Sequence, residues 1–159
     1  MKVALVVVGR VRGMMDSPVT EYERRARRYF PLEVVEVKEE SASRGRTAQQ
    51  VMLEEGKRLL ARVPPGAEVV ALDRTGVAWS SEQLARYLDE LAIRASPGAA
   101  FLIGGAFGLS GEVLSRADHR LSLSALTFPH ELARLMMAEQ LYRAGTILRG
   151  EPYHKGSET

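Results

Sequence analysis

The sequence predicts one α/β domain built on a mostly parallel sheet of about five strands, with helices on both faces. Short apolar runs typical of buried strands alternate with amphipathic segments of helical period along the whole chain. The 159 residues suffice for one domain with its own hydrophobic core. No internal repeat, low-complexity tract or linker divides the chain, so we expect residues 1–159 to form a single domain.

The first strand and the first helix follow from their residue patterns. Residues 2–8 are almost entirely valine, leucine and alanine, which is typical of a strand buried on both faces. We expect a helix from Ser17 to about Phe30, because proline at position 18 suits the first turn of a helix. Its apolar face carries Val19, Tyr22, Ala26 and Tyr29. Its opposite face carries Arg24, Arg25, Arg27 and Arg28. These arginines are candidates for phosphate contacts, and an ordinary solvated face is the alternative.

The next segment predicts a second strand and a second helix. Residues 32–37 (LEVVEV) form the strand, and the polar loop over residues 38–46 follows. Arg44 and Arg46 in this loop are further candidates for phosphate contacts. A helix is expected from Thr47 to Arg62, because its first residues match the capping-box pattern.

A third strand and a third helix precede the C-terminal half. The apolar run over residues 68–72 predicts the strand, and residues 73–76 (DRTG) predict a turn beyond it. Ser80 is the expected N-cap of the helix, and Gln83 completes a second capping box. The helix is expected to end before Pro97 and Gly98.

Two turns in the C-terminal half each follow a predicted strand. The expected elements are a strand (99–103), a glycine-rich turn (104–108), a short helix capped by Ser110, a strand (120–123), a loop (124–128) and a helix (129–148). Open α/β sheets hold ligands at the carboxyl ends of their strands. The sequence carries neither the dinucleotide fingerprint nor the phosphate-loop motif, so a ligand site and two tight turns both remain open.

Composition narrows the classes of function. The absence of cysteine excludes disulfides and thiolate chemistry. The three histidines lie far apart without the spacing of metal ligands, so we expect no metal site. No apolar run approaches the ~20 residues that a membrane helix needs. The apolar start lacks a signal-peptide cleavage pattern, and we therefore expect a cytoplasmic protein.

Four strings along the chain identify a family. IGGAFGLS, LSLSALTFPH, AEQLYRA and RGEPYHKG resemble the ribosomal large-subunit pseudouridine N3-methyltransferases of the SPOUT superfamily, the RlmH family. The resemblance covers essentially the full chain and includes the LDRTG segment at residues 72–76. It implies a C-terminal trefoil knot and a homodimer formed largely by the last helix. It also implies methyl transfer from S-adenosylmethionine to N3 of a pseudouridine of 23S ribosomal RNA within the ribosome.

The resemblance also implies which residues hold the cofactor. By motif match they are Leu72, Gly104, Gly105, Gly108, Leu123, Ser124, Ala125, Leu126, Thr127 and Phe128. Apolar side chains of this set can sandwich adenine. Backbone N–H groups of the glycine turn and of the loop can hydrogen bond to the edge of adenine and to the ribose.

The C-terminal tail is the implied catalytic segment. The acceptor is an imide N–H, so the reaction needs in-line positioning and removal of a proton. His154 is the first candidate for the base and His130 the second, because histidine titrates near neutral pH. The other candidates are Tyr153 for stacking on the target base, Arg143 and Lys155 for contacts to phosphate or base oxygens, and Glu139 for orienting one of these.

Two other functions remain open from the residues alone. A nucleotide- or RNA-binding module without transferase activity would use the same glycine turns and basic helix. A hydrolase using Asp73 or Glu112 has less support, because no partner carboxylate, metal cluster or Ser-His spacing accompanies either residue.

Overall fold

Five strands form a parallel sheet in the computed structural model, which describes residues 1–43 and 45–155. The strands are β1 (Lys2–Val8), β2 (Leu32–Val37), β3 (Glu68–Ala78), β4 (Gly98–Ile103) and β5 (His119–Ser122). Their order across the sheet is β2-β1-β4-β3-β5, and every neighbouring pair is parallel. The predicted parallel sheet is therefore confirmed. Arg44, one of the proposed phosphate contacts, lies outside the described residues.

Helices cover both faces of this sheet, as predicted. They are α1 (Asp16–Ala26), α2 (Ala48–Leu60), α3 (Ser81–Ile93), α4 (Gly111–Arg116) and α5 (His130–Leu148), and a 3-10 turn (Gly13–Met15) precedes α1. Side chains of β1 alternate between the faces. Leu5 belongs to the core formed with α1, α3 and α5, whereas Val6 belongs to the core formed with α2 and α4. Burial on both faces explains the unbroken apolar run of β1.

The predicted N-caps of three helices are confirmed. Thr47 and Gln50 form a complete capping box at the start of α2, and Ser80 and Gln83 form another at α3. Ser110 accepts a hydrogen bond of 3.2 Å from a backbone N–H in the first turn of α4. These side chains satisfy N–H groups that have no partner inside the helix.

Helix α1 is shorter than the sequence predicted. It ends at Ala26 instead of near Phe30. The N–H groups of Arg28 and Tyr29 bond to carbonyl oxygens three residues earlier, at 3.1 and 3.0 Å. This tighter turn closes the helix, and the chain enters β2 directly afterwards.

Strand β3 is longer than the sequence predicted. The segment 73–76 was expected to be a turn that ends the strand at Leu72. Instead, Leu121 of β5 lies opposite both Leu72 and Val77, so residues 73–76 bulge out and the strand resumes until Ala78. The strand resumes because β5 offers hydrogen-bonding partners on both sides of the bulge.

A buried charge network joins α5 to α1 and β2, and nothing in the sequence pattern predicted it. The side chain of Arg134 is 9% exposed and donates hydrogen bonds of 2.7 Å to Glu23 and to Glu36. Glu23 lies on the buried side of α1, although the next residue, Arg24, is charged and exposed. A buried arginine requires such partners, because an unpaired charge in the core is costly.

Two further expectations concern membrane-spanning helices and the trefoil knot. Over residues 1–43 and 45–155, no helix combines the length and apolar character that crossing a membrane requires. The trefoil knot stays a prediction.

Candidate cofactor site

A cavity of about 310 Å³ lies beyond the carboxyl ends of β4 and β5 and beside the bulge of β3. Its lining residues are Leu72, Asp73, Arg74, Ile103, Gly104, Gly105, Ala106, Phe107, Gly108, Leu109, Leu123, Ser124, Leu126, Thr127, Phe128, His130 and Ala133. Nine of the ten residues that the sequence assigned to the cofactor are among them, and Ala125 is not. Parallel strands end at one edge of the sheet, which explains why segments far apart in sequence meet here. The volume lies at the lower end of the range for small-molecule sites, roughly 300–1,000 Å³.

The glycine turn forms one wall of the cavity and closes on itself. Gly108 donates its N–H to the carbonyl oxygen of Gly105 at 3.1 Å and has a φ of 85°, which favours glycine. A Cβ atom on Gly104 would lie 2.7 Å from the carbonyl carbon and oxygen of Gly108. Glycine at these positions is therefore required by the shape of the turn itself.

Polar contacts fix the opposite wall. The hydroxyl oxygen of Ser122 lies 3.0 Å from the carbonyl oxygens of both Arg74 and Ser124, which ties the β3 bulge to the loop after β5. The Ser124 hydroxyl accepts the N–H of Leu126 at 3.0 Å. The loop therefore has a defined shape around the cavity.

Two exposed apolar side chains lie at this cavity. Leu126 is 71% exposed and Phe107 is 47% exposed, and both line it. Leu72, just before the β3 bulge, and Leu123, just after β5, supply further apolar surface. Apolar walls with backbone N–H and C=O groups between them suit a flat ligand with hydrogen-bonding edges, such as adenine.

His130 is the titratable ring at the cavity. It is the first residue of α5, and its Nε2 atom is buried without a hydrogen-bond partner in the described part of the chain. The nearest carboxylate oxygens, of Glu39 and Glu131, lie 4.0 Å from this atom. Among residues 1–43 and 45–155, no group of three or more potential metal ligands is close enough to hold an ion.

The C-terminal tail lies elsewhere, packed against α5 and α3. Tyr153 donates its hydroxyl hydrogen to Glu139 at 3.0 Å, and its ring centroid lies 4.6 Å from that of Tyr142. Arg143 also donates to Glu139, at 2.6 Å, and stacks over the Tyr153 ring at 4.8 Å. None of residues 151–155 lines the cavity. The structure therefore separates the proposed catalytic residues from the proposed cofactor residues within one chain.

Hydrogen bonds to both ring nitrogens orient His154. Its Nδ1 atom lies 3.1 Å from an Arg143 nitrogen, and its Nε2 atom lies 2.8 Å from a Glu82 carboxylate oxygen. Because a guanidinium only donates, Nδ1 accepts and the ring hydrogen on Nε2 is donated to Glu82. His154 can therefore accept another proton on Nδ1 only after Arg143 moves away.

Burial and hydrogen bonds to Glu139 shift the pKa values of Tyr153 and Arg143. Burial raises the pKa of Tyr153, and its hydrogen bond to Glu139 raises it further. Burial lowers the pKa of Arg143, but the hydrogen bond to Glu139 outweighs this and the net shift is upward. Tyr153 is therefore a neutral phenol, suited to stacking and hydrogen bonding. Lys155 is exposed at the end of the described chain.

Sequence reasoning named Glu139 as a partner of the tail but missed Glu82. Glu139 and Arg143 are four residues apart on α5, a spacing that indicates an ion pair from the sequence alone. Glu82 lies on α3, and no local pattern links it to a histidine that follows 72 positions later. Such a contact depends on how α3 packs against α5.

Two arginines on the basic face of α1 form ion pairs within the chain. Arg24 and Arg25 both donate to Glu21, at 2.7 and 2.9 Å, and these hydrogen bonds lower the pKa of Glu21 to about 2. Arg25 also lies over the rings of Tyr22 and Tyr142. Exposed guanidinium groups still face outward on this helix and the turn after it, at Arg24, Arg27 and Arg28.

Comparisons with known proteins match the whole chain. Residues 1–154 match the family described as "Predicted SPOUT methyltransferase". Ribosomal RNA large subunit methyltransferase H of Gemmatimonas aurantiaca is 54% identical over 157 residues, which span 98% of this chain and 100% of that protein. The protein of the same name from Rubrobacter xylanophilus is 51% identical, over 96% of this chain and 98% of that protein.

A solved structure supports the fold. A probable methylase family protein of Haemophilus influenzae superposes with a TM-score of 0.53 at 14% sequence identity. The match spans 99% of this chain and 72% of that chain.

Proposed function

The chain belongs to the SPOUT methyltransferase family, and we propose that it methylates N3 of a pseudouridine in large-subunit ribosomal RNA with S-adenosylmethionine as the donor. The observation that carries this proposal is the cavity at the ends of β4 and β5 and the bulge of β3, lined by nine of the ten residues that the family motifs assign to the cofactor. The names of the relatives, both ribosomal RNA large subunit methyltransferases, support the substrate class.

The cavity has the chemistry that the adenosine part of the cofactor needs. Leu72, Leu123, Leu126 and Phe128 offer apolar contacts to adenine, and backbone groups of residues 104–108 offer hydrogen bonds to its edge and to the ribose. When bound, the cofactor supplies a methyl group that its sulfonium sulfur already activates. The chain then has to hold the acceptor nitrogen in line with the methyl group and exclude water.

The tail residues supply the proton chemistry in this proposal. The imide N–H of the acceptor must lose its proton before the nitrogen attacks, and His154 is the proposed base. Tyr153, a neutral phenol, stacks on the target base, while Arg143 and Lys155 contact its oxygens or a phosphate. Arg143 has to leave Nδ1 of His154 when the RNA arrives, and a base oxygen or a phosphate would be its new partner.

A homodimer would bring the proposed catalytic residues of the tail close to the proposed cofactor residues of the cavity. Within one chain the tail does not line the cavity, so a tail that acts in catalysis must move there or serve the cavity of a partner subunit. Several apolar side chains of α5 remain partly exposed in the single chain, namely Leu132, Leu135 and Met136, although Leu141 is fully buried in the core. A partly exposed apolar helix face of this kind suits an interface between two copies. Sedimentation at micromolar concentration tests this, and a species of only 17.5 kDa would exclude it.

The proposed partner is ribosomal RNA within the ribosome, and the same substrate implies the cytoplasm as the compartment. Isothermal titration with S-adenosylmethionine tests the transferase assignment directly. We expect saturable binding to the purified protein. Binding of RNA without any binding of S-adenosylmethionine would instead indicate an RNA-binding module without transferase activity.

A further inference from the structure

The carboxyl group of Glu55 lies directly behind the glycine turn of the cavity. Glu55 belongs to α2 and is 3% exposed. A Cβ atom on Gly105 would lie 3.0 Å from Oε1 and 3.2 Å from Oε2 of Glu55. Gly105 lines the cavity whereas Glu55 does not, so the carboxyl group contacts the turn from the side away from the cavity.

One oxygen of this carboxyl group is left without a partner. Oε2 accepts the backbone N–H of Glu40 at 3.1 Å. Oε1 is shielded from solvent and makes no hydrogen bond to any residue among 1–43 and 45–155. Buried polar atoms are nearly always hydrogen bonded, so an exception calls for an explanation. The position that a Cβ atom on Gly105 would occupy lies 3.0 Å from this atom.

The next residue of α2 supports the other end of the same segment. A Cβ atom on Gly56 would lie 2.6 Å from the hydroxyl oxygen of Ser110, the N-cap of α4. Glu55 and Gly56 therefore lie against Gly105, inside the tight turn, and against Ser110, just after it. A shift of α2 would be transmitted to the wall of the cavity.

We propose that Glu55 is a positioning residue of the cofactor cavity, whose buried carboxyl group holds the Gly104–Gly108 turn in the shape that receives the nucleoside part of the ligand. This role rests on the proposed function. A neutral carboxyl group has both a donor and acceptors for the backbone of the turn. An ionised one would need water or a cation in this buried place, and either would push the turn outward.

Burial, together with two neighbouring carboxylates, favours the neutral form of Glu55. Burial raises its pKa, which the N–H of Glu40 opposes. The carboxylates of Glu39 and Glu40, on the loop after β2, raise the pKa of Glu55 further, whereas Arg58 on α2 lowers it. Arg58 and Arg46 both pair with Glu40, and the ring of His130 lies 4.0 Å from Glu39. The glycine turn brings only backbone atoms close to the Glu55 carboxyl group, and β1 brings the apolar side chain of Val8 to the same place.

The sign of the pH effect follows from the raised pKa. The neutral form is fully present below the ordinary value of 4.5 and is lost as the pH rises through the higher pKa of the folded protein. Affinity for the cofactor should therefore fall at high pH in the wild type. Glu55→Gln keeps the shape but cannot ionise, so its affinity should not fall over the same range.

The test measures S-adenosylmethionine affinity by calorimetry at increasing pH, starting from the ordinary carboxyl value of 4.5, with thermal unfolding at each pH. Glu55→Leu should bind about 10-fold more weakly than the wild type at the lowest pH, because it removes the buried carboxyl group behind the turn. Glu55→Gln should match the wild type at the lowest pH and exceed it at the highest. Glu54→Gln, at the exposed neighbouring position on α2, is the matched control and should follow the wild type.

Two outcomes would overturn the role. The first is a folded Glu55→Leu variant that binds S-adenosylmethionine as tightly as the wild type. If that variant does not fold, the second is a Glu55→Gln variant whose affinity changes with pH as that of the wild type does. In both cases the wild type still binds S-adenosylmethionine, and the proposed function stands. Absence of binding by the wild type at every pH would overturn the proposed function and this role with it.

Discussion

Gly104 and Gly108 approach so closely that a Cβ atom on Gly104 would lie 2.7 Å from the Gly108 carbonyl group. The turn therefore needs glycine at position 104 whether or not a ligand is bound. A valine at this position would displace the Gly108 backbone and disturb folding and ligand binding together. A sharper test of the cavity uses a residue that lines it without supporting it.

Leu126 is such a residue. It lines the cavity and is 71% exposed, so Leu126→Ala should leave the melting temperature nearly unchanged. Loss of its contact with adenine should weaken S-adenosylmethionine binding by about 10-fold, since burying a leucine contributes about 1.5–3 kcal/mol. Titration calorimetry measures the affinity. Ile93→Ala, which removes an equally exposed apolar side chain outside the cavity, is the control, and equal affinities in both variants would argue against the site.

The basic face of α1 should contribute to RNA affinity and not to cofactor binding. Replacing Arg24 and Arg28 with glutamine should weaken RNA binding and reduce its salt dependence by a slope of roughly one for each lost phosphate contact. Arg62→Gln, an exposed arginine just beyond α2, is the control. Filter binding at several salt concentrations gives the slopes, and identical slopes would assign the arginines to ordinary surface.

The tail should matter more for turnover than for stability. Truncation after Gly150 removes the bonds from Tyr29 to Glu151 and from Tyr153 to Glu139, and also the contacts of His154 with Arg143 and Glu82. Some stability should be lost with them, but none of residues 151–155 belongs to the hydrophobic core, so the truncated chain should still fold. Methyl transfer should fall by about 10²–10⁴-fold if His154 is the base. Tyr29→Phe, which removes one anchor of the tail and leaves its sequence intact, is the control. Full activity of the truncated protein would move the search for the base to His130.

The stability of the fold should depend on pH through Glu68, the first residue of β3. Burial raises the pKa of Glu68, but hydrogen bonds from Tyr87, Arg94 and His119 outweigh it, and the net shift is downward. A lowered pKa means that the stabilisation is present above the ordinary value of 4.5 and is lost as the pH falls through the lower pKa of the folded protein. The wild type should therefore exceed Glu68→Gln in free energy of unfolding near pH 7. This difference should shrink in urea unfolding near pH 3, and a constant difference would contradict the assignment.

The sequence allowed the sheet to be predicted for local reasons. Unbroken apolar runs, capping boxes and glycine turns are all signals carried by neighbouring residues, and they located β1, α2, α3 and the two turns of the C-terminal half. The residues that hold the cofactor followed from the family resemblance, because the local pattern also allowed two tight turns without a ligand. The buried pair of Arg134 and Glu23 could not be found in this way. It joins residues 111 positions apart, and each one alone has the appearance of a surface charge. The contact of His154 with Glu82 and the resumption of β3 after residue 76 depend likewise on packing between distant segments.

The central claim is methyl transfer to one nucleotide, and the most direct measurement is mass spectrometry of ribosomal RNA after reaction in vitro. Ribosomes from a strain that lacks this protein are incubated with the purified chain and S-adenosylmethionine. The account predicts a mass gain of one methyl group on a single pseudouridine of the large-subunit RNA, at N3, and a strongly reduced yield with Leu126→Ala at limiting cofactor. Unmodified RNA, or a methyl group on another kind of nucleotide, would contradict it.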